Sequence, residues 1–311
     1  MVSLKLTEGI GTVFYHLSGG NPFLINVGFQ TIAFVGIVMF LKALDPDVRL
    51  KILPLILLPS FNLWSSVASK ECIVVFAVCI IARYIVRIYR DDDLRIRFIE
   101  IFAFLLIYIY KNHYIPAIVF ILMCAMLSRY VAQRTIIVLT GGFISAVGLF
   151  LFRDRLGDLA LEVQTHWTIG DGQFVGRATR EFFFHTQSDV FTKAPEGMFQ
   201  SFFGPTISDM SIGLLQKVAF FESTFIMLAL AYMFYVSFWR LPIYNFFVGL
   251  LSLFWILFPS YPLGVMNAGS AIRYRTGHFV IVLLIFAFLM TRRAYYERPK
   301  LLRGTPEQAA G

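Results

Sequence analysis

Charged side chains are scarce in this sequence. Only 15% of its 311 residues are charged, whereas soluble domains carry about 25%. Hydrophobic residues reach 58% and the mean hydropathy is +0.72. A soluble core of this size has no use for so much apolar surface, but a lipid bilayer can solvate the outer faces of apolar helices. The composition therefore excludes an ordinary soluble domain and predicts an all-α polytopic membrane protein with the lipid bilayer as its main partner.

Cysteine is rare, and the motifs of several enzyme classes are missing. Three cysteines, Cys72, Cys79 and Cys124, lie in apolar runs, which argues against a disulfide framework. The sequence has no P-loop, no G-x-G-x-x-G, no H-E-x-x-H and no paired-cysteine metal motif. We therefore expect neither ATP-driven transport nor zinc proteolysis, and no metal or other cofactor. Asp45-Pro-Asp47 mimics a metal-binding D-x-D, but a proline after Asp45 is typical of a plain turn.

The chain carries a net charge of +8, which could indicate nucleic acid as a partner. The basic residues, however, form short clusters between apolar runs, as the topology signals of membrane proteins do. We therefore interpret the positive charge as a signal for membrane orientation and expect no nucleic acid.

About nine apolar stretches, with a range of eight to ten, are candidates for membrane-spanning helices. About 20 helical residues cross a hydrocarbon core of ~30 Å, and several of these stretches are shorter. The second is broken by Pro54 and Pro59 and could be a half-helix. The nine stretches are Phe23–Ala43, Leu50–Phe61, Glu71–Tyr89, Phe98–Tyr110, Ile115–Tyr130, Thr135–Phe152, Ile212–Tyr235, Leu241–Phe258 and His278–Met290.

The distribution of lysine and arginine predicts an orientation. Five basic residues follow the last span, so the C-terminal tail is placed in the cytoplasm, and the most basic short loops then also fall inside. No cleavable signal peptide is expected at the N-terminus, which could instead lie on the outer membrane surface. The predicted parts are an outer segment 1–22, helices 1–6 in 23–152, an outer loop of about 55 residues in 153–210, helices 7–9 in 211–291 and a cytoplasmic tail 292–311.

The polar segments that stand out as candidates for a site all fall on the outer side of this topology. They lie in residues 59–71, the turn 111–114, the loop 153–210 and residues 267–275. The loop is expected to fold as a lid with one or two short helices. Because separate segments converge on one face, the sequence predicts a site there.

Two pairs of charged residues are candidates for binding an anion. Lys70 precedes Glu71 at the start of a helix, where an ammonium group and backbone N–H groups favour phosphate or pyrophosphate. The alternative is a lysine that snorkels to the interface beside a glutamate that caps the helix. Arg273 and Arg275 flank Tyr274 just before the last span and could bind phosphate bidentately. The alternative there is a stop signal at the membrane edge.

Two further positions could carry chemistry. Lys111 opens the polar turn Lys111–Tyr114 and could be a second cation site, with His113 as a proton carrier. The alternative is a simple hairpin turn at the interface. Glu222 lies within the seventh predicted span, where a carboxylate is a functional candidate by default. It could pair with Lys217 or with either arginine before the last span.

Three of these segments resemble one family in the same order along the chain. Residues Pro59…Trp64-Ser-Ser…Ser69-Lys70-Glu71 are similar to the P…WSS…K[D/E] segment of bacterial membrane proteins of polysaccharide biosynthesis. Phe202-Phe203-Gly204-Pro205, followed by Glu222, is similar to their F-F-R-P stretch, with Gly204 in place of the arginine. The closing Gly269-x-x-x-Arg-Tyr-Arg275 also matches. The chain thus resembles the broad group of Wzy- and EpsG-like polymerases and lipid-sugar-dependent GT-C glycosyltransferases.

The resemblance implies sugar transfer or polymerisation on the outer face of a bacterial cytoplasmic (inner) membrane. The donor it implies is a polyprenyl-diphosphate-linked saccharide, here undecaprenyl-diphosphate-linked, and other polysaccharide assembly proteins are possible partners. Two alternatives stay open, a transporter or flippase of lipid-linked sugars and a non-catalytic partner of a polysaccharide export complex. The candidate catalytic residues are Glu71, Glu222 and His113, and those for binding the pyrophosphate are Lys70, Arg273, Arg275, Lys111, Ser66 and Trp64.

Overall fold

A computed structural model describes residues 2–90, 95–128, 134–168, 180–211, 213–239 and 241–290. Within these ranges the chain consists of helices and turns without a strand, which confirms the predicted all-α class. The basic tail 292–311, on which the predicted orientation depends, lies outside the described residues.

The first half of the chain folds into helices joined by short turns, several of which begin with proline. Pro22, Pro46 and Pro59 each lie in the first turn of a helix, where a missing N–H has no cost. The helices are α1 Val2–Leu17, α2 Pro22–Ala43, α3 Pro46–Ile56, α4 Pro59–Ser66, α5 Lys70–Tyr89, α6 Phe98–Lys111 and α7 Ile115–Leu127, with a 3₁₀ turn Asn112–Tyr114 before α7.

The second half adds five long helices and several short helices between them. Asn267 caps the last helix by accepting a hydrogen bond from Ser270 N at 2.9 Å. The helices are α8 Arg134–Leu151, α9 Arg153–Thr168, α10 Asp189–Thr192, α11 Ala194–Phe203, α12 Leu214–Phe238, α13 Ile243–Leu257, α14 Tyr261–Gly264 and α15 Ala268–Leu284, which continues as the π-helix Ile285–Leu289, and a 3₁₀ turn Ile207–Ser211 precedes α12.

Within the described residues, five helical stretches are long and apolar enough to cross a membrane, by length and composition alone. They are Pro22–Ala43, Lys70–Tyr89, Phe98–Leu127, Gln216–Phe238 and Ala268–Leu289. A sixth candidate combines Thr135–Leu151 with Arg153–Thr165 across a bend of 66°. The predicted count of nine is not confirmed by this criterion and stays a prediction.

Helix α5 is the centre of the bundle, because almost every one of its residues is buried. Its neighbours α2, α6 and α15 pack around it, and at Gly36 the missing side chain lets α2 touch the α5 backbone at Phe76. Helix α6 runs antiparallel to α5, since Arg87 Nη1 lies 3.0 Å from Glu100 Oε1. We call the end of the bundle with Lys70, Lys111 and Arg273 the site end, and the end with Arg87 and Glu100 the far end.

The stretch Phe98–Leu127 reverses direction at the predicted polar turn. Lys111 leaves helical geometry, with φ −149° and ψ 56°, and the 3₁₀ turn follows it. Beyond the turn, the Cys124 carbonyl accepts a hydrogen bond of 3.0 Å from Tyr244, near the start of α13. Farther along α13, the backbone of Gly249 touches Met290 at the far end. Helix α7 therefore runs back from the site end towards the far end.

Two helices do not follow the predicted apolar stretches. The polar stretch after Pro59 is helix α4, and the predicted stretch Leu50–Phe61 is divided between α3 and α4. The last helix begins at Ala268 rather than at His278, so the two arginines before His278 lie inside α15. The physical reason is the same in both places: a proline or an asparagine cap starts the helix among polar residues.

The predicted outer lid stays a prediction. Residues 180–211 pack against α14 and α15 at the site end, and we call this segment the cap. Arg180 anchors it, because its guanidinium forms an ion pair of 2.8 Å with Asp209 and also donates to the Val265 carbonyl at 3.2 Å. Its backbone N–H donates to the Met266 carbonyl at 3.2 Å. The cap is thus fixed to the turn that precedes α15. Residues 169–179 of the predicted loop lie outside the described residues.

Candidate functional site

Three helix ends bring predicted site residues together at the site end. Lys70 and Glu71 begin α5, Lys111 ends α6, and Arg273 lies in α15, which packs along α5. Arg273 Nε lies 3.2 Å from Glu71 Oε1. Lys70, Glu71 and Arg273 all act electrostatically on Lys111. The structure therefore joins residues that are up to 200 positions apart in the sequence, and we call these four residues the cationic cluster.

Aromatic rings separate and support the cations of this cluster. Lys111 Nζ lies 4.2 Å from the centre of the Tyr274 ring, and the Arg273 guanidinium lies 5.4 Å from the same centre. The Arg273 guanidinium also lies 6.0 Å from the centre of the Trp64 ring, which belongs to α4. The attraction between a cation and an aromatic face holds such stacks in place. Tyr274 was not predicted as a site residue, although its position between two arginines was visible.

Lys111 is the most unusual member of the cluster. Its side chain is 1% exposed, and its ammonium group lies over the Tyr274 ring. Burial of a charged group is costly unless the group is paired. With Lys70 and Arg273 nearby and Glu71 as the single carboxylate, the cluster has three cations against one anion. It is therefore suited to bind an anionic ligand.

Arg275 and Glu222, although predicted for the same site, form a separate buried junction. Arg275 Nη1 donates to Ser223 Oγ at 2.7 Å and to the Phe202 carbonyl at 3.2 Å, and its Nη2 donates to Ser60 Oγ at 3.2 Å. Glu222 accepts hydrogen bonds from the Ser60 N–H at 3.1 and 3.2 Å. Two residues along a helix are about 200° apart, so Arg273 and Arg275 point to different neighbours.

Of the other predicted residues, some lie next to the cationic cluster and some do not. Ser66 donates its hydroxyl to the Leu63 carbonyl at 3.1 Å, within its own helix, and no described contact brings it to the cluster. His113 lies in the turn next to Lys111, and its ring meets the Tyr114 ring edge to face at 4.7 Å between centres. Glu222 interacts electrostatically with Arg275, one of its predicted partners.

Buried polar atoms without a hydrogen-bond partner concentrate in this region. Among the described residues there are six such side-chain atoms, and five of them lie at the site end. Two of these, Glu71 Oε1 and Arg273 Nε, face each other as an ion pair. Unpaired buried polar atoms are rare and often mark a functional site. The other three are Ser69 Oγ, His113 Nε2 and His278 Nε2.

A metal centre has no support in the part of the chain that the structure describes, because no three His, Cys, Asp or Glu side chains meet there. Asp45, from the predicted D-x-D mimic, instead forms an ion pair of 2.9 Å with Arg90 at the far end.

Gly204 stands where the family resemblance expects an arginine, and the structure places another guanidinium beside it. A Cβ on Gly204 would overlap the Arg180 side chain and the Gln200 carbonyl, so the missing side chain makes room for Arg180.

Comparison of the chain with protein-family models, with curated proteins and with solved structures gave no match.

Proposed function

We propose that this chain is a membrane enzyme of bacterial surface-polysaccharide assembly that transfers or polymerises sugar from a polyprenyl-diphosphate-linked donor. The observation that carries the proposal is Lys111, a buried lysine next to Lys70 and Arg273 in a cluster whose one carboxylate is Glu71. A diphosphate supplies acceptor oxygens for all three cations. The resemblance of the three polar segments to polysaccharide polymerases supports the same ligand.

The chemistry of transfer assigns roles to this cluster. The oxygen of an acceptor hydroxyl attacks the anomeric carbon of the donor sugar, and the bond from that carbon to the diphosphate oxygen breaks. The electron pair stays on the diphosphate, whose new charge is stabilised by Lys70, Lys111 and Arg273. The hydroxyl proton passes to a base at the site, for which Glu71 and His113 are the candidates.

The path of the chain supports access from the bilayer. We propose nine crossings, with α3 and α4 together as one broken crossing, the site end and cap outside, and the C-terminus in the cytoplasm of a bacterial inner-membrane protein. An apolar groove of about 470 Å³ runs between α7, α8 and α13 and begins at Pro116, two residues after the polar turn. A lipid-linked substrate could approach the cluster sideways along such a groove.

The test is complementation of a strain that lacks the gene, with surface polymer and lipid-linked intermediates as readouts. Lys111→Met removes the charge and keeps the length of the side chain. Lys217→Met, on the exposed surface of α12, is the matched control. We expect Lys111→Met and Arg273→Gln to be present at normal levels, to lose polymer and to accumulate lipid-linked repeat units on the outer face.

Other outcomes would point to the alternatives. Accumulation of lipid-linked units on the inner face would indicate a transporter of lipid-linked sugars. Polymer at the wild-type level in both site variants would show that these cations are topology signals, and the non-catalytic partner would then be favoured.

A further inference from the structure

Two buried side chains that have no role in the proposed reaction lie directly beneath the cationic cluster. Tyr114 is 0% exposed and His278 is 1% exposed. The Tyr114 hydroxyl donates to the Tyr274 carbonyl at 3.4 Å and lies 3.4 Å from His278 Nδ1. Because Lys111 and Arg273 both rest on the Tyr274 ring, this chain of contacts reaches from His278 to the cations.

One tautomer of His278 satisfies both contacts of the Tyr114 hydroxyl. A tyrosine hydroxyl has one hydrogen, and a carbonyl oxygen can only accept. With that hydrogen on the Tyr274 carbonyl, His278 bonds to the Tyr114 oxygen through a hydrogen on Nδ1, whereas the other tautomer would take the Tyr114 hydrogen and leave the carbonyl contact unused. In either tautomer His278 Nε2 is buried without a partner among the described residues. A fold that needed His278 only for packing would gain by replacing it with an apolar side chain.

Gly277 provides the space in which this contact forms. A Cβ on Gly277 would lie 2.6 Å from the Tyr114 hydroxyl oxygen and 3.4 Å from Val74 Cγ1. The hydroxyl therefore reaches the α15 backbone only because residue 277 has no side chain. Two independent features of α15, a glycine and the histidine after it, thus serve the position of one hydroxyl group.

We propose that His278 is a positioning residue, held as the neutral Nδ1–H tautomer, which orients Tyr114 and through it Tyr274 under Lys111 and Arg273. The inference rests on the proposed diphosphate site and adds to it the device that sets the spacing of two cations. His278 does not touch the ligand. If the Tyr274 ring turns, Lys111 and Arg273 no longer meet the same diphosphate, and binding weakens.

Two amide substitutions separate the nitrogens of His278. In His278→Asn the amide nitrogen lies near the position of Nδ1, and in His278→Gln it lies nearer to Nε2. Farnesyl diphosphate is the probe, and its Kd is measured calorimetrically with the full chain in nanodiscs. We expect His278→Asn to bind within about threefold of wild type and His278→Gln about tenfold more weakly, the size of one hydrogen bond. Nitrogen NMR of histidine-labelled protein should show one neutral Nδ1–H ring that is lost in both variants.

Each other pattern overturns the inference. Binding kept by Gln and lost by Asn would make Nε2 the important atom. Equal binding by both variants would show that His278 serves only to fill space in the core. Loss in both, at wild-type thermal stability, would show that the imidazole ring itself is needed and that a hydrogen at the Nδ1 position does not account for binding.

A second substitution tests the same hydroxyl without changing the histidine. Gly277→Ala should displace Tyr114 and weaken farnesyl diphosphate binding, whereas Gly11→Ala in α1, where no atom lies within 4 Å of the added Cβ, should not. Unchanged binding in Gly277→Ala contradicts the inference. If wild type does not bind the probe, or Lys111→Met binds it equally well, the proposed site fails and this inference with it. If binding depends on Lys111 but shows no Asn–Gln difference, only the role of His278 fails.

Discussion

Arg275 and Glu222 show how two charged side chains can be buried within the bundle without a direct ion pair. Ser60 connects them, because its N–H donates to Glu222 while its hydroxyl accepts from Arg275. The two residues are 3% and 8% exposed. Buried charges of opposite sign are tolerated when hydrogen bonds satisfy both, and removal of one leaves the other uncompensated.

This arrangement predicts a large but reversible loss of stability. Arg275→Met should lower the free energy of unfolding by about 3–5 kcal/mol, since Glu222 loses its opposite charge. Adding Glu222→Gln should recover part of that loss, because the remaining groups are then neutral. Thermal unfolding of the single and double variants in one detergent measures both effects, with Lys217→Met as the control. Losses that simply add would contradict electrostatic coupling between the two residues.

The sequence predicted the anion-binding role of Lys70, Lys111 and Arg273 as one group, and the structure brings them together, although their function stays a prediction. It could not separate Arg273 from Arg275. The two have the same chemistry and lie two positions apart, and only the helical rotation of α15 directs one towards Glu71 and the other towards Ser60. Tyr114 and His278 were missed because a tyrosine and a histidine among apolar residues look like packing.

At the scale of elements, the cap depends on one buried ion pair. The side chains of Arg180 and Asp209 are 6% and 3% exposed. Thr206 also donates its backbone N–H to Asp209, at 2.7 Å. Burial by itself raises the pKa of Asp209. The hydrogen bonds from Arg180 and Thr206 and the charge of Arg180 lower it, and together they outweigh burial, so the pKa ends below its ordinary value.

The lowered pKa predicts that the cap loosens in acid. A carboxyl group whose pKa is lower in the folded state stabilises the fold above its unfolded pKa, about 3.9, and loses this contribution as pH falls through the folded pKa. Asp209→Asn should therefore loosen the cap at neutral pH and remove this part of its acid sensitivity. Hydrogen exchange of residues 180–211 measures the effect, with Glu162→Gln as the exposed control. Equal acid sensitivity in Asp209→Asn would show that another group is responsible.

Helices were predicted best where apolar residues fill them from end to end. Helices α12 and α13 agree with the predicted stretches to within three residues at each end. Helices α4 and α15 did not, because both begin among polar residues at the site end. A helix satisfies its own backbone hydrogen bonds whatever its side chains are, so the change from apolar to polar composition marks the membrane boundary rather than the end of the helix.

At the scale of the whole molecule, the central question is whether Phe98–Leu127 crosses the membrane once or twice. As a single helix its 30 residues would be about 45 Å long, more than a hydrocarbon core of ~30 Å. The contacts favour two crossings. Glu100 meets Arg87 at the far end, Lys111 meets Tyr274 at the site end, and Cys124 meets Tyr244 near the far end again.

Cysteine labelling distinguishes the two paths. The native Cys72, Cys79 and Cys124 are buried, and replacing them by alanine gives a background for single cysteines at exposed positions. An impermeant maleimide added to intact cells should label Asn112→Cys and Glu196→Cys on the cap. It should label Asp47→Cys and Arg95→Cys only after the membrane is opened, since both lie at the far end. If Phe98–Leu127 is one span, Asn112 lies near the middle of the bilayer and reacts from neither side, and the nine-crossing topology fails along with an outward-facing Lys111.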